Sequence, residues 1–304
     1  MRAGVGTSRP LVVESRRPVD AVTVEVRLAA ADGAALPRWA PGAHVDLVLP
    51  GGLVRPYSLC GDPRDTATWR LLVRRAGRAS AYVHDQLQVG DVVHARGPRD
   101  RFVLGAAARY LFVASGAGIA PLLPMARWVA AARIYPWQLL HLDGGRSLLA
   151  DEVQTLGTTA DDFALVADAV LAAPDGTAVY ACGSARFVDA VADLAGQKLD
   201  LHRQQFDRPE PVPGGTPACE LVLARRGDTI PVPAGTSLLD ALLDAGVPVP
   251  VACGVGICGA CIVPLLEGTV RHRDSILTDA ERATGRSVVT CVSAADSARL
   301  VLDV

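Results

Sequence analysis

Residues 251–264 read VACGVGICGACIVP, and Cys253, Cys258 and Cys261 fall within nine residues of one another. Gly254, Gly256 and Gly259 stand between them. A fourth cysteine, Cys291, follows thirty residues after Cys261, so the spacing is C-x4-C-x2-C-x29-C. Thiols this dense, beside the residue that most readily takes positive φ, call for a tight loop wrapped around something that binds sulfur.

That spacing is the plant-type pattern for a [2Fe–2S] cluster. Three thiolates come from one turn and the fourth from a distant segment, because a single loop has to enclose two iron atoms. The glycines let the loop close and let backbone N–H groups approach the sulfurs, which stabilises the reduced, more negative cluster. The alternatives are a zinc site or buried thiols. Zinc sites usually pair two C-x2-C knuckles, and only one is present here. Cys60, Cys182 and Cys219 stand apart and read as small buried hydrophobes.

The flanking sequence divides by pattern. The chain has 304 residues, half of them hydrophobic, and a net charge of −2. That length suggests two or three domains, and the charge gives no reason to expect nucleic acid or an anionic membrane surface as a partner. The opening residues have no apolar core of a signal peptide, and the longest apolar run, 110–125, is broken by Gly116, Gly118, Pro121 and Pro124. A soluble cytoplasmic protein is expected.

Residues 1–104 read as β-rich, with alternating strands AVTVEVRLA (21–29), HVDLVLP (44–50) and WRLLVRR (69–75) between glycine and proline turns. This pattern suits a barrel or a sandwich. Residues 105–206 alternate buried strands with helices, which favours a parallel α/β sheet. The strands expected are YLFVA (110–114), WQLLHL (137–142), FALVA (163–167) and AVYAC (178–182), and ARFVDAVADLAG (185–196) is a helix ending at Gly196. DRPEPVPGGTP (207–217) carries four prolines and two glycines and reads as a linker, placed at 207–218. Residues 219–304 begin with a hairpin in CELVLARRGDTIPVP, then a helix SLLDALLDAG with a Ser cap and a Gly stop.

Further short stretches point to nucleotides. SGAGIAP (115–121) follows an apolar strand and opens a helix, whose free N–H groups suit a pyrophosphate. YACGS (180–184) is a second strand-end glycine turn, and ligands of parallel sheets sit at such ends. RPYSL (55–59) joins a cation, an aromatic ring and a hydroxyl, and RRAGRAS (74–80) precedes a helix that Ser80 is placed to cap. His44, His84 and His272 read as packing or surface residues, and the segment His272–Ser275 has no assigned role.

Taken in order, these stretches resemble the phthalate dioxygenase reductase family, which includes the vanillate demethylase reductase subunits. RPYSL is similar to its flavin motif, SGAGIAP to its nicotinamide motif, YACGS to its C-G-[PS] strand end, and the cysteine pattern to its fused ferredoxin. The resemblance covers nearly the whole chain. It implies three parts: an antiparallel β-barrel flavin domain, an α/β parallel-sheet nucleotide domain, and an α+β, β-grasp ferredoxin domain.

By the same resemblance Arg55, Tyr57 and Ser58 hold FMN, Val73 and Arg74 line it, and Gly77, Arg78, Ala79 and Ser80 cradle its phosphate. Gly116, Gly118, Ile119 and Pro121, with Cys182 and Gly183, face the nicotinamide nucleotide, and Phe206 lies near the flavin ring. Cys253, Cys258, Cys261 and Cys291 ligate the cluster. The phosphate loop departs from the family's R-G-G-S, since GRAS (77–80) stands there. In HLDGGRS (141–147), Asp143 favours NADH and Arg146 would favour a 2′-phosphate; NADH is the expected donor. No catalytic acid or base is expected, because hydride and electron transfer demand little proton chemistry of the protein. A hydride carries two electrons and a cluster accepts one, so a flavin must stand between them. The expected partner is a separate terminal oxygenase, Rieske-type first and cytochrome P450 second. A redox-sensing flavin and iron–sulfur protein is the rival from another class.

Overall fold

The computed structural model describes residues 8–50, 53–144, 148–206, 215–251, 253–274 and 276–304. By contact the chain divides into two units, Met1–Gln205 and Phe206–Val304.

The first unit holds two sheets. Strands β1 (Arg9–Pro18), β2 (Thr23–Ala30), β3 (His44–Leu49), β4 (Leu53–Ser58), β5 (Thr68–Arg74) and β6 (Val92–Arg99) form an antiparallel sheet in the order β4-β3-β6-β1-β2-β5. A bridge between Leu59 and Leu71 joins its two outer strands, so the sheet closes on itself as a barrel. The inward faces bring together Leu11, Val26, Leu47, Leu71 and Trp69, all essentially inaccessible. Alternation of apolar and polar residues along the strands produces that core directly. Helix α1 (Arg78–Asp85) follows β5. Ser80 is the third residue of this helix and not its cap: the cap position is Gly77, and the Ser80 hydroxyl accepts from the Ala76 and Gly77 amides at 2.8 and 2.9 Å.

The second sheet is wholly parallel. It consists of β7 (Tyr110–Ser115), β8 (Trp137–Leu142), β9 (Thr158–Ala160), β10 (Ala178–Gly183) and β11 (Asp200–Gln205), in the order β11-β10-β7-β8-β9. Helices α2 (Ile119–Ala132), α3 (Ala150–Gln154), α4 (Phe163–Ala172) and α5 (Ala185–Ala195) connect the strands. The expectation of a strand at 163–167 is overturned, since these residues open α4. Asp162 caps the helix by accepting from Ala164 N at 2.9 Å and Leu165 N at 3.4 Å, and Val166 and Val170 are its buried residues. A five-residue apolar run cannot distinguish strand from helix, and the cap decided it. Strands β9 and β11 were not anticipated, because TTA and DLHRQQ lack the apolar runs of a central strand.

The second unit contains β12 (Cys219–Leu223), β13 (Asp228–Val232), α6 (Leu238–Asp244), β14 (Ile262–Glu267), β15 (Val270–Arg271), α7 (Asp279–Ala283), β16 (Ser287–Val289), β17 (Ala294–Ala295) and β18 (Arg299–Leu302). Its main sheet runs β13-β12-β18-β14-β16, with β12 and β18 parallel and the other pairs antiparallel. This is the expected hairpin-then-helix arrangement. Ser237 caps α6 by accepting from Asp240 N at 3.0 Å, and Gly246, at φ +70°, ends it. Of the expected linker, residues 207–214 lie outside the described residues.

A buried ion-pair chain joins the two sheets of the first unit. Glu25, on β2, has a side chain only 1 % exposed and pairs with Arg17, Arg27 and Arg70. Arg70, on β5, also pairs with Glu152 on α3. Burial alone would push the Glu25 carboxyl up, but hydrogen bonds and charge from Arg17 and Arg70 outweigh it and hold the group at about 2. Its folded value lies below the unfolded one, so the stabilisation is complete above pH ~4.5 and fades as pH falls toward 2. Glu25→Gln is expected to lose about 3 kcal/mol at pH 7. Its stability should also fall less steeply than the parent's between pH 5 and pH 2, measured by denaturant titration across that range.

Candidate redox and nucleotide sites

The four cysteines of the spacing pattern converge. Cys253, Cys258, Cys261 and Cys291 are each at most 5 % exposed. Their thiols hydrogen-bond as two pairs, Cys253 with Cys258 and Cys261 with Cys291, and Cys253 also bonds Cys291. Sharing protons splits the titrations. The hydrogen bond from Cys258 pulls Cys253 below the usual thiol range, and the bond from Cys291 pulls Cys261 down as well. Their donors, Cys258 and Cys291, are pushed up by the same bonds and by burial. Such a nest of buried sulfur can become fully thiolate only with a cation to balance it. Two pairs of thiols suit a cluster with two irons. The donor set therefore fits a [2Fe–2S] group.

The loop supplies the expected amides. Val255 N donates to Cys253 Sγ at 3.4 Å and Ala260 N to Cys258 Sγ at 3.5 Å. Gly254, Gly256 and Gly259 all have positive φ. Gly256 has a second reason: a Cβ there would lie 2.6 Å from Val292 Cγ2 and 3.2 Å from Asp274 Cα. Thr290, not singled out in the sequence, is fully buried and donates from Oγ1 to the Cys261 carbonyl at 3.0 Å, tying the distant ligand's strand to the loop.

At the carboxyl edge of the parallel sheet, two glycine turns press together. Gly116–Gly118 forms a 3₁₀ turn between β7 and α2, with Gly116 at φ +50°. A Cβ on Gly118 would meet the Cys182 carbonyl oxygen at 2.0 Å, and one on Gly183 would meet Ser115 Oγ at 2.1 Å. Gly118 is thus required by backbone approach between the β7–α2 turn and the end of β10, and Gly183 by the Ser115 side chain packed against it, before any ligand is considered. Ile119 and Pro121 occupy the buried first turn of α2. Cys182 is fully buried and its thiol is raised well above the usual range by burial, so it packs within the sheet. His141, overlooked in the sequence, is fully buried on β8 with Nε2 2.9 Å from the Gly116 carbonyl, where it steadies the turn. Asp143 follows β8 and is buried; Arg146 lies outside the described residues. Phe206 follows β11 directly.

In the barrel, Arg55, Tyr57 and Ser58 lie on β4, Val73 and Arg74 end β5, and 77–80 open α1. Burial raises the Tyr57 phenol to about 12 despite the Arg55 charge, so it stays neutral. The Ser58 hydroxyl is buried without a hydrogen-bond partner among the described residues, which marks a polar group awaiting a ligand. Val73 is buried, while Arg74 and Arg78 are exposed. Arg75 is occupied by a two-pronged pair with Asp85. His84 bonds the Val73 carbonyl at 2.9 Å, His44 is buried on β3, and His272 lies 3.6 Å from Asp274, in keeping with packing roles.

A closed barrel, a parallel α/β sheet and a thiol-lined β domain, in that order, define an oxidoreductase class in which a ferredoxin follows a ferredoxin-reductase pair of sheets. Residues 221–296 match the model of the 2Fe-2S iron-sulfur cluster binding domain. The chain is 36 % identical over 301 residues to the phenoxybenzoate dioxygenase subunit beta of Ectopseudomonas oleovorans, covering 93 % of each chain. Its fold matches the crystal structure of phthalate dioxygenase reductase, described as a modular structure for electron transfer from pyridine nucleotides to [2Fe–2S], with TM-score 0.67 and 31 % identity over 98 % of both chains. It also matches an intact type IV self-sufficient cytochrome P450 monooxygenase with TM-score 0.81 and 33 % identity, over 98 % of this chain and 41 % of that one. The chain belongs to the phthalate dioxygenase reductase family.

Gly256→Ala should cost about 2–4 kcal/mol from crowding and the left-handed backbone together. The purified protein should then carry less iron and sulfide per chain. Gly254→Ala, also at positive φ but with nothing within 4 Å of a Cβ, should cost only the backbone strain of about 1–2 kcal/mol and keep more iron and sulfide than Gly256→Ala in the same assay.

Proposed function

We propose that this protein is the reductase component of an oxygenase system, taking a hydride from NADH and delivering single electrons to a separate terminal oxygenase. The convergence of four buried thiols in one chain with a glycine-turn nucleotide edge and a barrel site carries this reading. Bound FMN supplies the conversion of a hydride into single electrons, and a bound [2Fe–2S] cluster supplies the one-electron outlet.

The protein's own part is placement. Arg55 offers a cation to the FMN phosphate, the neutral Tyr57 ring offers a stacking face, and the unpartnered Ser58 hydroxyl offers a hydrogen bond to a flavin heteroatom. Val73 and Arg74 line the same site. Gly77, Arg78, Ala79 and Ser80 meet the phosphate with the start of α1 and the Arg78 charge, while the Ser80 hydroxyl is committed to the loop itself. Gly116, Gly118, Ile119 and Pro121 present the α2 tip to the nucleotide, with Gly183 giving it close passage beside Cys182. Phe206 corresponds to the aromatic that lies near the flavin ring in the family. The Asp143 charge at the end of β8 disfavours a 2′-phosphate and so selects NADH. Cys253, Cys258, Cys261 and Cys291 hold the cluster, and the Val255 and Ala260 amides stabilise its reduced form.

Residues 1–104, 105–206 and 219–304 form the flavin, nucleotide and ferredoxin parts, with 207–218 as linker. No helix among the described residues is long and apolar enough to cross a membrane, and seven cysteines without disulfides suit a reducing cytoplasm. The acceptor is a Rieske-type oxygenase, as the kinship with a dioxygenase subunit supports. A cytochrome P450 acceptor is the second reading, favoured by the match to part of a self-sufficient P450.

Anaerobic addition of NADH should bleach both the flavin and the cluster absorption of the holoprotein. In Cys291→Ser the flavin should still bleach at a near-parental rate, whereas reduction of added cytochrome c should drop by more than about 10-fold. Absence of flavin bleaching in the parent would favour the sensing alternative.

A further inference from the structure

We propose that Glu152 is a positioning residue that sets the nicotinamide against the flavin by locking the α/β sheet's helices to the barrel. The inference rests on the reading of the barrel as the flavin site and of the 116–121 turn as the nicotinamide site.

Glu152 lies on α3 and faces two arginines from different elements. Its Oε1 accepts from Arg70 Nη2 at 2.6 Å, and its Oε2 accepts from Arg70 Nη1 at 2.9 Å and from Arg127 Nη2 at 2.5 Å. Arg70 is itself buried and donates its Nε to Glu25 at 2.6 Å. Glu25 is gripped in turn by Arg17, through Nε and Nη2 at 3.0 and 2.9 Å. The pairs form a continuous chain from the barrel strands β1, β2 and β5 to the helices α3 and α2.

Each end of that chain is a rigid lever pointing at one reactant. On β5, Val73 is three residues beyond Arg70, about 10 Å at strand rise. On α2, Ile119 at the mouth of the nicotinamide turn is eight residues before Arg127, about 12 Å at helix rise. A slip at the clamp is therefore carried to the reacting atoms nearly undiminished. Hydride transfer tolerates little of this, since a 1 Å displacement can cost about 100-fold.

The surroundings give the ion pairs this job. A cavity of about 310 Å³ adjoins them, lined by Arg17, Arg27, Asp62, Asp65 and Thr68 as well as the clamp residues. No apolar side chain lines it. Around this cavity the barrel and the helices meet through charge and hydrogen bonds, whereas elsewhere Met125 of α2 packs closely against Gly42 of the barrel.

The test uses the full-length holoprotein, mixed anaerobically with NADH and with 4-deuterated NADH in a stopped-flow instrument. Glu152→Gln should reduce its flavin between about 10- and 100-fold more slowly, with an altered primary isotope effect. Nucleotide affinity should move by less than about threefold, and the flavin and cluster content should be unchanged. Glu152→Asp, which keeps the charge on a shorter stem, should recover part of the rate. If Glu152→Gln loses flavin or unfolds, Arg127→Gln takes its place, because it removes one contact at the half-exposed end of the clamp. Parental rates and isotope effects in the variants would overturn the clamp while leaving the reductase reading intact. Failure of NADH to reduce the parent flavin would overturn that reading and the clamp with it.

Discussion

Arg70 holds two carboxylates that belong to two different sheets. One is Glu25 inside the barrel wall, and the other is Glu152 on a helix of the α/β layer. Burying Glu25 and Arg70 is expensive, and it is tolerated because every prong of the guanidinium meets an oxygen, one carboxylate being the half-buried Glu152. That geometry cannot relax gradually. A carboxylate displaced by an ångström leaves a buried cation unpaired, so the two sheets sit in one relation or lose the pairing outright. A two-site chemistry, with one reactant on each sheet, needs this kind of discrete registration.

The same economy governs the loops. Gly118 is glycine because backbone meets backbone at the Cys182 carbonyl, and Gly183 because the Ser115 side chain fills the space a methyl would need. Gly256 is glycine for a related reason, pressed between Val292 and Asp274 while its φ is positive. In both places a residue that reads as a ligand-contact motif is first a packing requirement. Around sulfur the same tight path brings the Val255 and Ala260 amides onto Cys253 and Cys258. The thiol nest completes this pattern. Four buried sulfurs in hydrogen-bonded pairs share protons unevenly and can all ionise only around positive charge.

Other features depend on less. The Ser58 hydroxyl is buried and unpartnered, an arrangement that costs free energy until a polar ligand arrives. Tyr57 beside it is kept neutral by burial. These two residues form a small, preorganised patch on one barrel strand, and Arg55 supplies the charge at its rim. The His141 contact to the Gly116 carbonyl does for the nucleotide turn what the Thr290 contact to the Cys261 carbonyl does for the cluster loop. In each case a buried side chain pins a carbonyl of the turn in place.

The sequence by itself determined the grouping of the four cysteines, the parallel sheet, the hairpin-and-helix start of the last unit, and the two glycine turns. These rest on spacing, on strand period and on residues with few alternatives, so local pattern carries them. It did not determine that 163–167 is helical, that Ser80 is the third helical residue, or that DLHRQQ is an edge strand. In each of these a cap or a neighbouring strand outweighed a short run of residues. It also left no trace of the Arg17–Glu25–Arg70–Glu152–Arg127 chain, of His141 under the turn, or of Thr290 behind Cys261. Charged and polar residues in a strand read as solvent-facing until the fold brings partners from 45 or 82 residues away. Only the tertiary structure, by burying Glu25 and Arg70 and bringing Arg17, Glu152 and Arg127 to them, turned scattered charges into a joint.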